Sequence, residues 1–129
     1  MSKKHIWAGR ILGGLPALFL ILNSAISLTK PPFVVEGTLK MGYSEATIIP
    51  LGLAAILSTL LYLIPRTSVL GAVLLTGYFG GAVATHVRAG DPAPLIAVPI
   101  LFSITFWFAL WLRNPILRRL LPLTTHNTL

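Results

Sequence analysis

Residues 46–85 read ATIIPLGLAAILSTLLYLIPRTSVLGAVLLTGYFGGAVAT, a stretch interrupted by a single charge, Arg66. A hydrocarbon layer of roughly 30 Å takes about 20 helical residues at 1.5 Å each. The uncharged runs 46–65 and 67–85 each match that length. In lipid every backbone N–H and C=O must find a partner within its own segment, so each run is expected to be helical. Only Arg66, Thr67 and Ser68 separate the two, and a turn that short forces antiparallel neighbours.

The same measure works outward in both directions. The runs 11–29 and 92–112 are of similar length and are also free of charge. The expectation is therefore an all-α fold. A single transmembrane four-helix domain covers 1–129, with spans at about 11–29, 46–65, 67–85 and 92–112. The composition agrees. The chain is 55% hydrophobic and 10% charged, whereas a soluble domain carries about 25% charged residues. With no cysteine, disulfide scaffolds, thiolate metal sites, iron–sulfur clusters and cysteine nucleophiles are excluded.

Orientation follows from Lys and Arg beside the spans. The N-terminus, the turn at Arg66 and the C-terminus share one side, with Lys3, Lys4, Arg10, Arg66, Arg113, Arg118 and Arg119 and no acid. The other side holds Lys30, Lys40 and Arg88 together with Glu36, Glu45 and Asp91. Both termini are expected in the cytoplasm. The net charge of +7 is then a topology signal, and no basic soluble face exists for nucleic acid. Lys3-Lys4 and Ala25-Ile26-Ser27 loosely fit a signal peptide. The apolar run is long for one, and three remaining spans would strand the first loop, so a membrane span is the better reading.

Two GxxxG pairs point to close helix contacts, Gly9 with Gly13 and Gly77 with Gly81. The small residues of 67–85 suggest a central, tightly packed third span, whose glycine face could also leave room for a flat ligand. Pro16 should loosen the first helix locally. In the first loop, Pro32 can start and Gly42 end a short amphipathic helix at the interface, with Glu36 and Lys40 as an i,i+4 pair. It would lid the bundle or seal it. Ser44 reads as an N-cap, and Asp91-Pro92 as a helix start in which the acid caps. Asn114-Pro115 ends the last span, and 116–121 reads as a short surface helix.

Catalytic sets are sparse. His5, His86 and His126 fall on different sides and cannot form one metal site, and no phosphate loop or dinucleotide fingerprint occurs. Polar groups gather only at the outer end. Asn23 and Ser27 are one turn apart on the first span. Thr85, His86 and Arg88 end the third, Glu36 lies in the loop, and Asp91 begins the fourth.

The stretch 63–72, LIPRTSVLGA, runs into 76–90, TGYFGGAVATHVRAG. With Val35-Glu36, Gly42-Tyr43 and Leu112-Arg113-Asn114-Pro115, this chain resembles the DoxX-like family of small four-helix membrane proteins over nearly its whole length. GGAxATHxRxG is the specific part. The resemblance implies a four-helix bundle in a bacterial plasma membrane. It also implies a link to membrane oxidoreductase systems, since relatives include a thiosulfate:quinone oxidoreductase and an oxidative-stress complex. The family pattern often has an acid in span one, a lysine a turn later and a glutamate early in span two. Here those regions read Asn23, Ser27 and Ala54-Ala55, which puts proton handling in doubt. The expectation is a non-catalytic accessory or hydrophobic-ligand-binding subunit with no evident cofactor. Its outer groups Asn23, Ser27, Glu36, Thr85, His86 and Arg88 would either meet a quinone or lipid or tie the loop to the bundle through Glu36. The alternatives are an enzyme or carrier for a quinone or lipid, and a structural homo-oligomer or assembly factor for a membrane partner.

Overall fold

The computed structural model describes residues 3–124; His126 and the end of the tail lie outside them. Among the described residues six α-helices form, α1 (Lys3–Leu28), α2 (Pro32–Lys40), α3 (Ile48–Leu63), α4 (Ser68–Arg88), α5 (Ala93–Arg113) and α6 (Pro115–Leu120). Single 3-10 turns, Glu45–Thr47 and Pro65–Thr67, lead into α3 and α4. Four segments are long and apolar enough to cross a membrane: Lys3–Leu28, Glu45–Leu63, Pro65–Arg88 and Ala93–Arg113. Their sides display large apolar residues such as Leu15, Phe19, Leu57, Leu101 and Ile104, the surface that lipid requires.

The four long helices run alternately up and down in a ring. α1 and α4 each pack against α3 and α5. The ends of the ring therefore differ in their chain segments. One, the terminal end, gathers the start of α1, the α3–α4 turn, the end of α5 and α6. The other, the loop end, gathers α2, the loop to α3 and the α4–α5 turn.

α1 begins at Lys3, well before the uncharged run opens at Ile11. The run measures the length buried in hydrocarbon, whereas a helix continues into the headgroup layer, where charges are welcome. Pro16 lies inside α1 without ending it. The α3–α4 turn is held by its own side chains. The Thr67 hydroxyl donates to the Leu61 carbonyl at 2.7 Å, and the Ser68 hydroxyl to Tyr62 and Ile64 at 2.8 and 2.9 Å. The Leu61 and Tyr62 oxygens belong to the last turn of α3, whose carbonyls have no helical partner of their own, and Ile64 is its C-cap.

Between lipid-exposed helices the hydrophobic effect gives little, so contact rests on close packing and a few polar bonds. Four glycines permit the closest approaches. A Cβ at Gly71 would collide with the backbone of Leu61 and Tyr62, and one at Gly9 with the Arg113 stem and the Ala109 carbonyl. One at Gly13 would lie 2.9 Å from the Tyr62 hydroxyl, and one at Gly52 2.8 Å from Leu28. Tyr62 is fully buried and donates to the Phe106 carbonyl at 2.6 Å. Its ring meets Phe106 edge-on at 4.9 Å. Phe79 stacks on Phe106 at 5.9 Å and on Phe102 at 5.6 Å. Trp107 Nε1 donates to the Thr76 hydroxyl at 2.6 Å, tying α5 to α4. Each interhelical bond of this kind contributes about 0.6 to 2 kcal/mol.

Several local expectations are corrected. The Gly77–Gly81 pair faces no helix of this chain: a Cβ at either meets nothing within 4 Å. The packed face of α4 instead runs through Ser68, Gly71, Ala72, Leu75, Phe79 and Thr85. Ser44 makes no side-chain cap, and Asp91 caps nothing, because Pro92 takes the N-cap position and the carboxylate turns to His86. α2 forms as a helix in which no residue is fully buried. Among the described residues Glu36 and Lys40 do not close an ion pair. The cap at Asn114 does form: its side-chain oxygen accepts from the amides of Ile116 and Leu117.

Candidate functional site

The polar groups singled out at the loop end form two small networks, with Asn23, Ser27 and Glu36 outside both. α4 carries the first network. The Thr85 hydroxyl donates to the Gly81 carbonyl at 2.8 Å, one turn back. Having used its proton there, it accepts from the Tyr43 hydroxyl at 2.6 Å. A loop tyrosine is thereby fixed against the loop-end half of α4.

Arg88 holds the same loop from above. Its Nη2 donates to the Met41 carbonyl at 2.6 Å, and its guanidinium stands 5.9 Å from the Tyr43 ring centre. Gly42 lies between these contacts with φ +85°, a left-handed conformation that glycine tolerates best. A Cβ there would also come 2.7 Å from Arg88 Nη2.

His86 and Asp91 form the second network. Nδ1 and Oδ2 are 2.6 Å apart, and both side chains are mostly buried. With Nδ1–H donated to the carboxylate, ring orientation is fixed, and Nε2 has no protein partner among the described residues. Neutral imidazole presents Nε2 as an acceptor, and imidazolium presents it as a donor.

Beneath these groups is a cavity of about 300 Å³. Met41 and Tyr43 roof it, Thr85 and His86 line it on the side of the α4–α5 turn, and Gly77 and Gly81 form its floor. Leu51 of α3 and Tyr78 and Ala82 of α4 complete an apolar wall. Both floor glycines are exposed on the side of a spanning helix, so the cavity opens sideways, towards lipid. The small residues of α4 thus make space here where tight contact was expected.

Of the residues singled out from sequence, Thr85, His86, Gly77 and Gly81 come together in this cavity. Arg88 stands behind it as a clasp on the loop. Asn23 is exposed on α1, and Ser27 donates to the Asn23 carbonyl at 2.9 Å; neither lines the cavity. Glu36 is exposed on α2. The expected tie from Glu36 to His86 or Arg88 is corrected, since both prefer nearer partners, Asp91 and the Met41 carbonyl. Tyr43, Met41 and Tyr78 were not singled out for the site. Only Tyr43 had a signal, an aromatic residue directly after a loop glycine. Gly9 and Gly13 belong to the other end, packed against α5 and Tyr62.

The arrangement can hold an apolar, flat or chain-like molecule entering from the bilayer. A polar group on it would meet the Tyr43–Thr85 pair and His86 Nε2. Among the described residues no three His, Asp or Glu side chains stand together as metal ligands.

A model of the DoxX-like family matches residues 11–109. That stretch contains all four spanning segments nearly complete, the loop and every residue of the cavity. No curated protein and no solved structure matches the chain.

Proposed function

The chain belongs to the DoxX-like family and is an integral membrane protein, and from that footing we propose that it binds a small hydrophobic molecule of the quinone or lipid class in the loop-end cavity. It acts as a non-catalytic accessory subunit beside a membrane redox partner. The observation that carries this reading is a lateral, glycine-floored cavity, largely apolar, with Tyr43, Thr85 and His86 gathered at one end. A ligand with an apolar body and a polar head matches that distribution. A polar head on the ligand would meet His86 Nε2, the ring nitrogen that the bond to Asp91 leaves over. The basic bias of the terminal end supports an orientation with both termini in the cytoplasm, which sets the cavity in the outer leaflet of the plasma membrane.

One observation favours a second reading, a homo-oligomer. The exposed pair Gly77 and Gly81 would also admit the backbone of another copy.

The test is native mass spectrometry of the protein extracted in mild detergent from its own membrane, with identification of retained small molecules. A single quinone or lipid species, reduced at least about tenfold in His86→Ala and in Thr85→Val, is the expected result. An unchanged ligand in both variants contradicts the assignment. A bare oligomer supports the second reading.

A further inference from the structure

The terminal end carries a second cavity with a different chemistry. It measures about 320 Å³ and lies at the mouth of the bundle, between the start of α1, the α3–α4 turn and the junction of α5 with α6. Arg10, Arg113 and Asn114 line it, with Ser68, Pro65 and Pro115 around them. None of the three acids lies at this end.

The donors of this cavity are incompletely matched by the protein. Arg113 Nε donates to the Ala109 carbonyl at 3.2 Å. Its guanidinium stands 5.2 Å from the Tyr62 ring centre, and Nη2 is buried there without a hydrogen bond. The Arg10 guanidinium lies 5.3 Å from the Trp7 ring centre, a contact that leaves its N–H groups available. Asn114 uses its oxygen to cap α6, which leaves its NH₂ as the outward-facing chemistry. The Ser68 proton goes to backbone carbonyls.

The position of Arg113 is built into the packing. Its stem passes so close to residue 9 that any Cβ there would collide with it. A topology signal needs cations near the surface, which Lys3, Lys4 and Arg119 provide. It does not need a guanidinium led past a glycine into the mouth of the bundle. Two guanidiniums and an amide, with no acidic side chain near among the described residues, match a tetrahedral oxyanion, because guanidinium pairs with phosphate oxygens in bidentate fashion.

We propose that this mouth is a phosphate-binding site, with Arg10, Arg113 and Asn114 as its donors. The phosphate comes either from an anionic phospholipid of the adjoining leaflet or from a free ion. The site is independent of the loop-end cavity and stands or falls without it.

The experiment titrates the delipidated, full-length protein in neutral detergent with phosphatidylglycerol, phosphatidylcholine or inorganic phosphate, reading bound species by native mass spectrometry. The variants are Arg10→Gln, Arg113→Gln and, as a control on the same end outside the cavity, Arg119→Gln. Tight binding of phosphatidylglycerol alone, weakened about tenfold by Arg10→Gln and by Arg113→Gln but not by Arg119→Gln, supports the site and assigns it to lipid. The same pattern with inorganic phosphate assigns it to a free ion. Arg113 also packs against Gly9 and Tyr62, so Arg113→Gln is read only if folded, and Arg10→Gln decides otherwise. Equal loss in Arg119→Gln, which would mean diffuse surface charge, overturns the proposal, as does binding that neither cavity variant weakens.

Discussion

The two ends of this bundle are built from the same four helices and have opposite characters. At the terminal end three glycines are filled by their neighbours, Gly71 by the α3 backbone, Gly13 by Tyr62 and Gly9 by Arg113, while Gly14 faces outward. Seven cations crowd there without an acid. At the loop end three cations meet three acids, and although Leu28 fills the space at Gly52, Gly77 and Gly81 face open space. A glycine on a membrane helix therefore has two uses. It admits a neighbouring backbone where one is present, and it leaves a cavity where none is. Close glycine contacts tie the helices together at the terminal end, and the open glycine face at the loop end is where the proposed hydrophobic ligand would lie.

That contrast is broken most severely by Gly71→Leu. Its side chain would be driven into the α3 backbone, and we expect a loss of about 3 kcal/mol or outright failure to fold, measured by thermal unfolding in detergent. Tyr62→Phe tests the same end more gently. It removes the O–H···O=C bond to Phe106 and keeps the ring contacts. A loss of about 1 kcal/mol is expected, read from reversible unfolding in mixed micelles; an unchanged stability would remove this bond from the account. The smallest global effect belongs to the loop end. Arg88→Gln should cost about 0.5 kcal/mol or less. It should nevertheless speed proteolytic cutting between residues 40 and 44, because the clasp on the Met41 carbonyl is gone. Cutting at the wild-type rate would show that Arg88 does not hold the loop.

How much of this was legible beforehand follows from what each residue pattern encodes. The spans were readable because a charge in hydrocarbon is costly, so Arg66 marks the turn by its position alone. Helix ends were less so. α1 continues through Arg10 to Lys3 because the headgroup layer accepts charge, and no uncharged run records that. The GxxxG pairs are identical as motifs and opposite in outcome. Spacing states that a face is small, and not which face meets a neighbour. On α4 the contact face passes through Gly71, Leu75 and Phe79, on the other flank from Gly77. Thr85 and His86 were found because they end a span beside other polar residues. Asn23 satisfied the same criterion, but it lies just off the buried stripe of Gly13, Ala17, Leu20 and Ser24. Tyr43 was missed because its contact with Thr85 depends on the path of the loop, which helical periodicity does not describe.

The most direct test of the open glycine face fills it. Gly77→Leu with Gly81→Leu places two side chains in the cavity floor, where a Cβ meets nothing within 4 Å. Unfolding should move by about 0.5 kcal/mol or less. The molecule retained on extraction should be lost from the folded variant, as seen by native mass spectrometry beside the wild type. A folded double variant that keeps the same molecule at the same occupancy would contradict the account.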